Sequence, residues 1–153
     1  MSRRVVLVGA GSHGRGTLEI LRAQKAAGGE VPEVVGFVDD APGAGSVDGV
    51  PVLGTPDWLV ERAPGQGLAA LLALADPEAK RALAERLDGV VEGWVSAVHP
   101  TAVLGRGVSV APGAIVGAGV IVAYDTAIEA HTTINLGATV GHDCRVGRFS
   151  TIA

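Results

Sequence analysis

From Val98 to Ile152 an aliphatic residue returns at every sixth position: Val98, Leu104, Val110, Val116, Val122, Ile128, Ile134, Val140, Val146 and Ile152, with no break in phase. Four residues after each of the first nine stands a small or modest side chain, running from Ala102 and Val108 to Cys144 and Ser150. A period of six matches neither the 3.6 of an amphipathic helix nor the alternation of a half-buried strand. It fits a three-sided coil, in which each side is a short strand with one large residue turned inward and each corner is a turn. Glycines such as Gly105, Gly107, Gly117 and Gly119 tolerate the backbone that such corners need. Eighteen residues make one coil, coils stack at ~4.8 Å, and nine complete hexads predict three coils. The competing reading of the same pattern is a β-sandwich with a coincidental period.

Before residue 96 the pattern changes. Residues 4–8 are a valine-rich run fit for a buried parallel strand. The loop Gly9-Ala10-Gly11-Ser12-His13-Gly14 follows, then a helical pattern over 14–27 that ends near Gly28-Gly29. A second strand over 34–38 closes on Asp39-Asp40. Residues 50–54 read as a short extended piece, 55–59 as a helical turn and 68–74 as a third main strand. Asp76-Pro77 reads as the cap and first turn of a helix over 78–87. This alternation predicts an α/β fold class with a Rossmann-like parallel sheet in residues 1–95, followed by an all-β coil in 96–153.

The glycine loop lies where a G-x-G-x-x-G motif must lie to work, between a strand and a helix. There, glycines let the backbone approach a phosphate, and the helix start offers free N–H groups. An acid at the tip of the second strand can bond a ribose or a base. By itself the motif also allows an NAD(P)-binding regulator, but about 95 residues leave little room for two mononucleotide-binding halves.

Composition narrows the function classes. With 48% apolar residues, 18% charged and 3% aromatic, and 23 glycines, the chain has material for a core of Val, Ile, Leu and Ala joined by tight turns. A net charge of −4 argues against a nucleic-acid partner, which needs a basic surface. The one cysteine, Cys144, can form no internal disulfide, which suits a reducing compartment. Met1-Ser2-Arg3-Arg4 and the valines after it carry too short an apolar run for a signal peptide, and no stretch nears a membrane span. The expectation is a cytoplasmic protein with no membrane partner.

Several stretches, in this order, resemble the sialic acid O-acetyltransferases and nucleotide-amino-sugar N-acetyltransferases of the hexapeptide-repeat family, a NeuD/PglD-like group. They are the glycine loop after Val8, Phe37-Val38-Asp39-Asp40, Val50-Pro51-Val52-Leu53-Gly54, Val98-His99-Pro100-Thr101-Ala102, and residues 134–144 from Ile134 through Asn135 to Cys144. The resemblance covers essentially the whole chain. It implies a left-handed parallel β-helix, acetyl-CoA as co-substrate, a nucleotide-sugar or sialic acid acceptor, and a homotrimer with its active sites between neighbouring subunits. Members of the family continue for several more coils, whereas this chain stops at Ala153 inside its tenth hexad. It is expected to be a shortened form of a longer protein, which leaves a non-catalytic sugar-nucleotide-binding module as an alternative.

Acetyl transfer from a thioester needs a nucleophile relieved of its proton, and a neutral histidine, ordinarily titrating near ~6.5, suits that task. The resemblance makes His142 the general base and Asp143 the carboxylate that orients it, at outward-facing hexad positions. Asn135 matches a family asparagine near the active site. Gly11, Ser12, His13 and Gly14 are expected to contact the acceptor's phosphates, and Asp39 and Asp40 its ribose or base. Arg15 could assist with phosphate. His131 reads as a corner or intersubunit residue, His99 as structural and Cys144 as inward packing. No metal is implied.

Overall fold

The computed structural model describes residues 3–43 and 45–153. Met1 and Ser2, part of the amino-terminal stretch weighed above as a leader, and Ala44 lie outside the described residues. Four parallel strands, β1 (Arg4–Val8), β2 (Glu33–Val38), β4 (Val50–Gly54) and β5 (Leu68–Leu72), form the first sheet. A short β3 (Ser46–Val47) pairs antiparallel with β4, and the order is β3-β4-β2-β1-β5. Along β1, Val5 and Leu7 pack on one side with Leu18 and Leu21 of α1 (Ser12–Ala26). Val6 and Val8 pack on the other with Leu59 of α2 (Pro56–Arg62) and Ala84 and Leu87 of α3 (Pro77–Leu87). Helices on both faces explain why β1 reads as continuous valine rather than alternation. The open edge of β5 is covered where Ala70 N–H donates to Gly93 O at 3.0 Å and Val95 N–H to Ala70 O at 3.1 Å.

Asp76 caps α3 as expected, accepting from Glu78 N at 3.4 Å and Ala79 N at 3.3 Å. Helix α1 begins two residues earlier than the glycine pattern suggests, at Ser12 behind an N-cap Gly11 with no side-chain bond, so His13 and Gly14 lie in its first turn.

The remainder is the coil. Its three faces are parallel sheets. One holds β6 (Ala97–Val98), β9 (Ile115–Val116), β12 (Thr133–Ile134) and β15 (Thr151–Ile152). The second holds β7 (Val103–Leu104), β10 (Ile121–Val122) and β13 (Thr139–Val140). The third holds β8 (Ser109–Val110), β11 (Ala127–Ile128) and β14 (Arg145–Val146). Each strand pairs with the one a full coil away: Val122 lies beside Leu104 and Val140, and Ile128 beside Val110 and Val146. The sixfold aliphatics therefore stack in columns, with Val116, Val122, Ile128 and Ile134 at the centre of a separate buried core. Ten strands make three coils and the first side of a fourth.

The corners have a rhythm of their own. Positive φ recurs at every sixth residue, through Gly107, Gly113, Gly119, Asp125, His131, Gly137, Asp143 and Phe149. A non-glycine residue there carries a cost of about 1–2 kcal/mol, and four of the eight positions carry one.

The α/β part packs against the β6-β9-β12-β15 face. Ile115 of that face joins the cluster of α1 and β1. Lys80 of α3 is 0% exposed. Its Nζ donates to His131 O at 3.2 Å, Thr133 Oγ1 at 3.0 Å, Ser150 O at 3.2 Å and Thr151 Oγ1 at 2.8 Å. Thr151 Oγ1 in turn donates to Ala75 O at 2.6 Å. Among the described residues no carboxylate pairs with this amine, and burial pulls its pKa down to about 8.

Candidate active site

His142 follows β13 at the corner leading to β14. Its Nδ1 lies 2.6 Å from Asp143 Oδ2, and the two side chains are 59% and 64% exposed. A carboxylate accepting the Nδ1 proton selects one tautomer and leaves the Nε2 lone pair to accept another proton. Tyr124, one coil below, stacks on the imidazole at 4.8 Å between centroids with 7° between planes, which restrains the ring's rotation. Asp143 holds its place at φ 52°, in the conformation that glycine takes at neighbouring corners. Cys144 differs from expectation. It is exposed, and its Sγ donates to His142 O at 3.3 Å.

A second concentration of polar groups lies at another corner. A cavity of about 610 Å³ opens between the first turns of α1 and the coil, lined among others by Ser12, His13, His99, Asn135, Ile134 and Leu136. Of the residues expected to bind the acceptor, the structure thus brings Ser12, His13 and Asn135 together. Gly11 sits beside them in open space at the helix cap. Gly14, also expected at the phosphates, is buried in the first turn of α1 and does not line this cavity. A Cβ there would stand 1.9 Å from Gly9 O, so glycine is required by the approach of helix to loop.

Asp39 and Asp40 do not line the cavity. Both oxygens of Asp39 are engaged in closing the loop, accepting from Ala10 N at 2.8 Å and Ala41 N at 2.9 Å, while Asp40 is exposed. Arg15 is paired with Asp48 at 2.9 Å, and that hydrogen bond holds the Asp48 carboxyl below its ordinary range.

Two further histidines stand out: His131, at a coil corner as its position suggested, and His99. His131 is 4% exposed and lies between Trp94, edge-on at 4.6 Å, and Phe149, stacked at 5.4 Å. Burial pushes its pKa down, and its Nδ1 has no partner among the described residues. His99 faces the cavity, and its Nδ1 accepts from Thr101 N at 3.1 Å and meets Thr101 Oγ1 at 2.8 Å. Among the described residues no three His, Cys, Asp or Glu converge as a metal site would require, and no helix is long and apolar enough to cross a membrane.

Within one chain the cavity and the His142–Asp143 pair are apart. The helices cover the β6-β9-β12-β15 face, and the cavity lies at an edge of that face. His142 occupies the corner between the other two faces.

The model of the PglD N-terminal domain matches residues 4–87, more than half of the chain. No curated protein matches the sequence significantly. The acetyltransferase domain of PglB from Neisseria gonorrhoeae FA1090 superposes with a TM-score of 0.87 at 27% identity, over 98% of this chain and 70% of that one. The same domain is also solved in complex with acetyl coenzyme A. PerB from Caulobacter crescentus, in complex with CoA and GDP-perosamine, superposes with a TM-score of 0.84 at 34% identity, over 96% of this chain and 67% of that one. WeeI from Acinetobacter baumannii AYE shares the fold, with a TM-score of 0.79 at 21% identity over 96% of this chain and 68% of that one.

A hexad coil with a carboxylate-held histidine at its corner, superposing throughout on domains that carry CoA, is the framework of an acyltransferase. Within that class the chain belongs to the PglD-like family of hexapeptide-repeat sugar acetyltransferases.

Proposed function

We propose that this protein transfers the acetyl group of acetyl-CoA to the amine of a nucleotide-linked amino sugar, with His142 as general base. The observation that carries the reading is the 2.6 Å contact from Asp143 Oδ2 to His142 Nδ1, which leaves Nε2 as the proton acceptor. The amine nitrogen attacks the thioester carbonyl, Nε2 takes the proton that nitrogen loses, and the C–S bond breaks to release CoA as a thiolate. A thiolate is a good leaving group, so the step needs no strong acid. Tyr124 restrains the base, and Asp143 stabilises the imidazolium that forms.

An amine acceptor is favoured over a hydroxyl because the 34%-identical Caulobacter relative holds GDP-perosamine, and the same enzyme is also solved as a histidine-to-alanine variant with CoA and GDP-perosamine. The acceptor's place is the cavity of Ser12, His13 and Asn135, with Gly11 at its rim. Because His142 stands at a corner away from that cavity, a complete site takes the base from a neighbouring copy. A homotrimer with left-handed coils and sites at its subunit boundaries satisfies this. Leu136, 79% exposed, with Val103 at 57% and Ile121 at 50%, provides apolar surface for such packing. We divide the chain at about residue 95 into an acceptor-binding part, 1–95, and an acyl-transferring part, 96–153.

The test is CoA thiol release from acetyl-CoA with GDP- and UDP-linked 4-amino sugars, for wild type and His142→Ala. We expect turnover in the wild type and a loss of at least a hundredfold in the variant. Binding of the sugar nucleotide without CoA release, or full turnover by His142→Ala, would refute the assignment.

A further inference from the structure

His99 is the residue whose surroundings say more than its position in the sequence. Its ring lies in the wall of the 610 Å³ cavity, in company with His13 and Asn135. The backbone N–H of Thr101 donates to its Nδ1 at 3.1 Å. A backbone N–H can only donate, so Nδ1 carries no proton. The Thr101 hydroxyl, 2.8 Å from the same nitrogen, must then donate to it as well, while accepting from Gly119 N–H at 3.1 Å. With Nδ1 occupied as an acceptor, the neutral ring has its proton on Nε2. Among the described residues nothing accepts that proton.

We propose that His99 is an acceptor-binding residue, set by Thr101 as an Nε2–H donor to an oxygen of the nucleotide sugar. The inference rests on the reading of this cavity as the acceptor's place. The arrangement is preorganised. The corner that carries His99 is tied to the next coil through Thr101 and Gly119, so little side-chain freedom remains to be lost on binding. A neutral donor in a wall that also contains Ile115, Ile134 and Leu136 recognises an oxygen without adding a charge to an apolar surface. The oxygen belongs either to the diphosphate or to the sugar ring.

Two amide substitutions separate this role from a structural one. Asparagine places a side-chain oxygen near the Nδ1 position, so His99→Asn keeps the acceptor for Thr101 and removes the distal donor. Glutamine reaches the Nε2 position, so His99→Gln keeps the donor and removes the acceptor for Thr101. Calorimetric titration of the full chain would use the GDP- or UDP-linked 4-amino sugar that the wild type binds best, and its nucleoside diphosphate alone. His99→Asn should bind the sugar nucleotide about tenfold more weakly, the loss of one hydrogen bond to a polar or charged oxygen, and His99→Gln should stay within about threefold of wild type.

A loss shared by the bare diphosphate assigns the contact to a phosphate oxygen; a loss confined to the sugar-bearing ligand assigns it to a sugar oxygen. Either supports the proposal. If His99→Asn binds like wild type while His99→Gln is impaired, the role is structural and the proposal falls alone. If the wild type binds no nucleotide sugar, the acceptor reading falls first and takes this inference with it. Independently of ligand, the imidazole nitrogen resonances of His99 should show an unprotonated Nδ1; a protonated Nδ1 overturns the tautomer argument.

Discussion

Stability should rise between pH 8 and about 10.5 because of one residue, Lys80. Its amine is 0% exposed and faces four oxygens at 2.8–3.2 Å, with no carboxylate among them. Desolvation lowers its pKa from 10.5 to about 8. In the unfolded chain the amine keeps its proton up to its ordinary value. Between the two values the unfolded state binds more protons, and the free energy of unfolding climbs with pH. Below pH 8 both states are protonated and the cost of the buried charge is fully present; above 10.5 both are neutral and it is gone. A fall from 10.5 to about 8 is worth about 3 kcal/mol. The neutral amine remains satisfied, donating two hydrogens and accepting from the Thr133 hydroxyl. The assay is urea unfolding followed by circular dichroism at pH 7.5, 9 and 10.5, for wild type and Lys80→Met. Groups common to both, such as Tyr124 and Lys25, cancel in the difference. That difference should shift by about 3 kcal/mol in favour of the wild type across the interval. Parallel profiles would show that the amine is hydrated or paired, and the argument would fail.

His131 gives the acid counterpart. Its folded pKa is lowered by burial, so stability is retained above the ordinary histidine value and lost as pH falls below about 6.5. His131→Phe, between Trp94 and Phe149, should flatten that loss in thermal melts from pH 7 to 5. Asp143→Asn keeps the size of the side chain but no longer enforces the Nδ1–H tautomer of His142. The expected result is a fall in kcat on the order of tenfold to a hundredfold with little change in KM for the acceptor, read from CoA release. Gly14→Ala puts a methyl 1.9 Å from Gly9 O, and should destabilise the fold by about 3 kcal/mol in chemical unfolding.

The coil was legible because each of its inward positions answers to one local rule. A residue six places on must point inward again, and the columns of Val116, Val122, Ile128 and Ile134 follow from that rule alone. The same arithmetic contained a signal that hexad reading leaves unused. In an eighteen-residue coil, a residue eighteen before a candidate lies directly beneath it, and subtraction from His142 leads to Tyr124, the ring it stacks on. The start of α1 was less legible, because Gly11 caps the helix without any side-chain signal. Lys80 and His99 were illegible for a different reason. What they do depends on α1 and α3 meeting a face of the coil, through contacts such as Lys80 to Thr151, 71 residues apart in the chain. No local period encodes that meeting. The chemistry is divided in the same way. The His142–Asp143 pair is set by neighbours one residue and one coil away, so motif reading can find it. The acceptor cavity exists only where two independently patterned parts of the chain touch, and its specificity residues have to be found there.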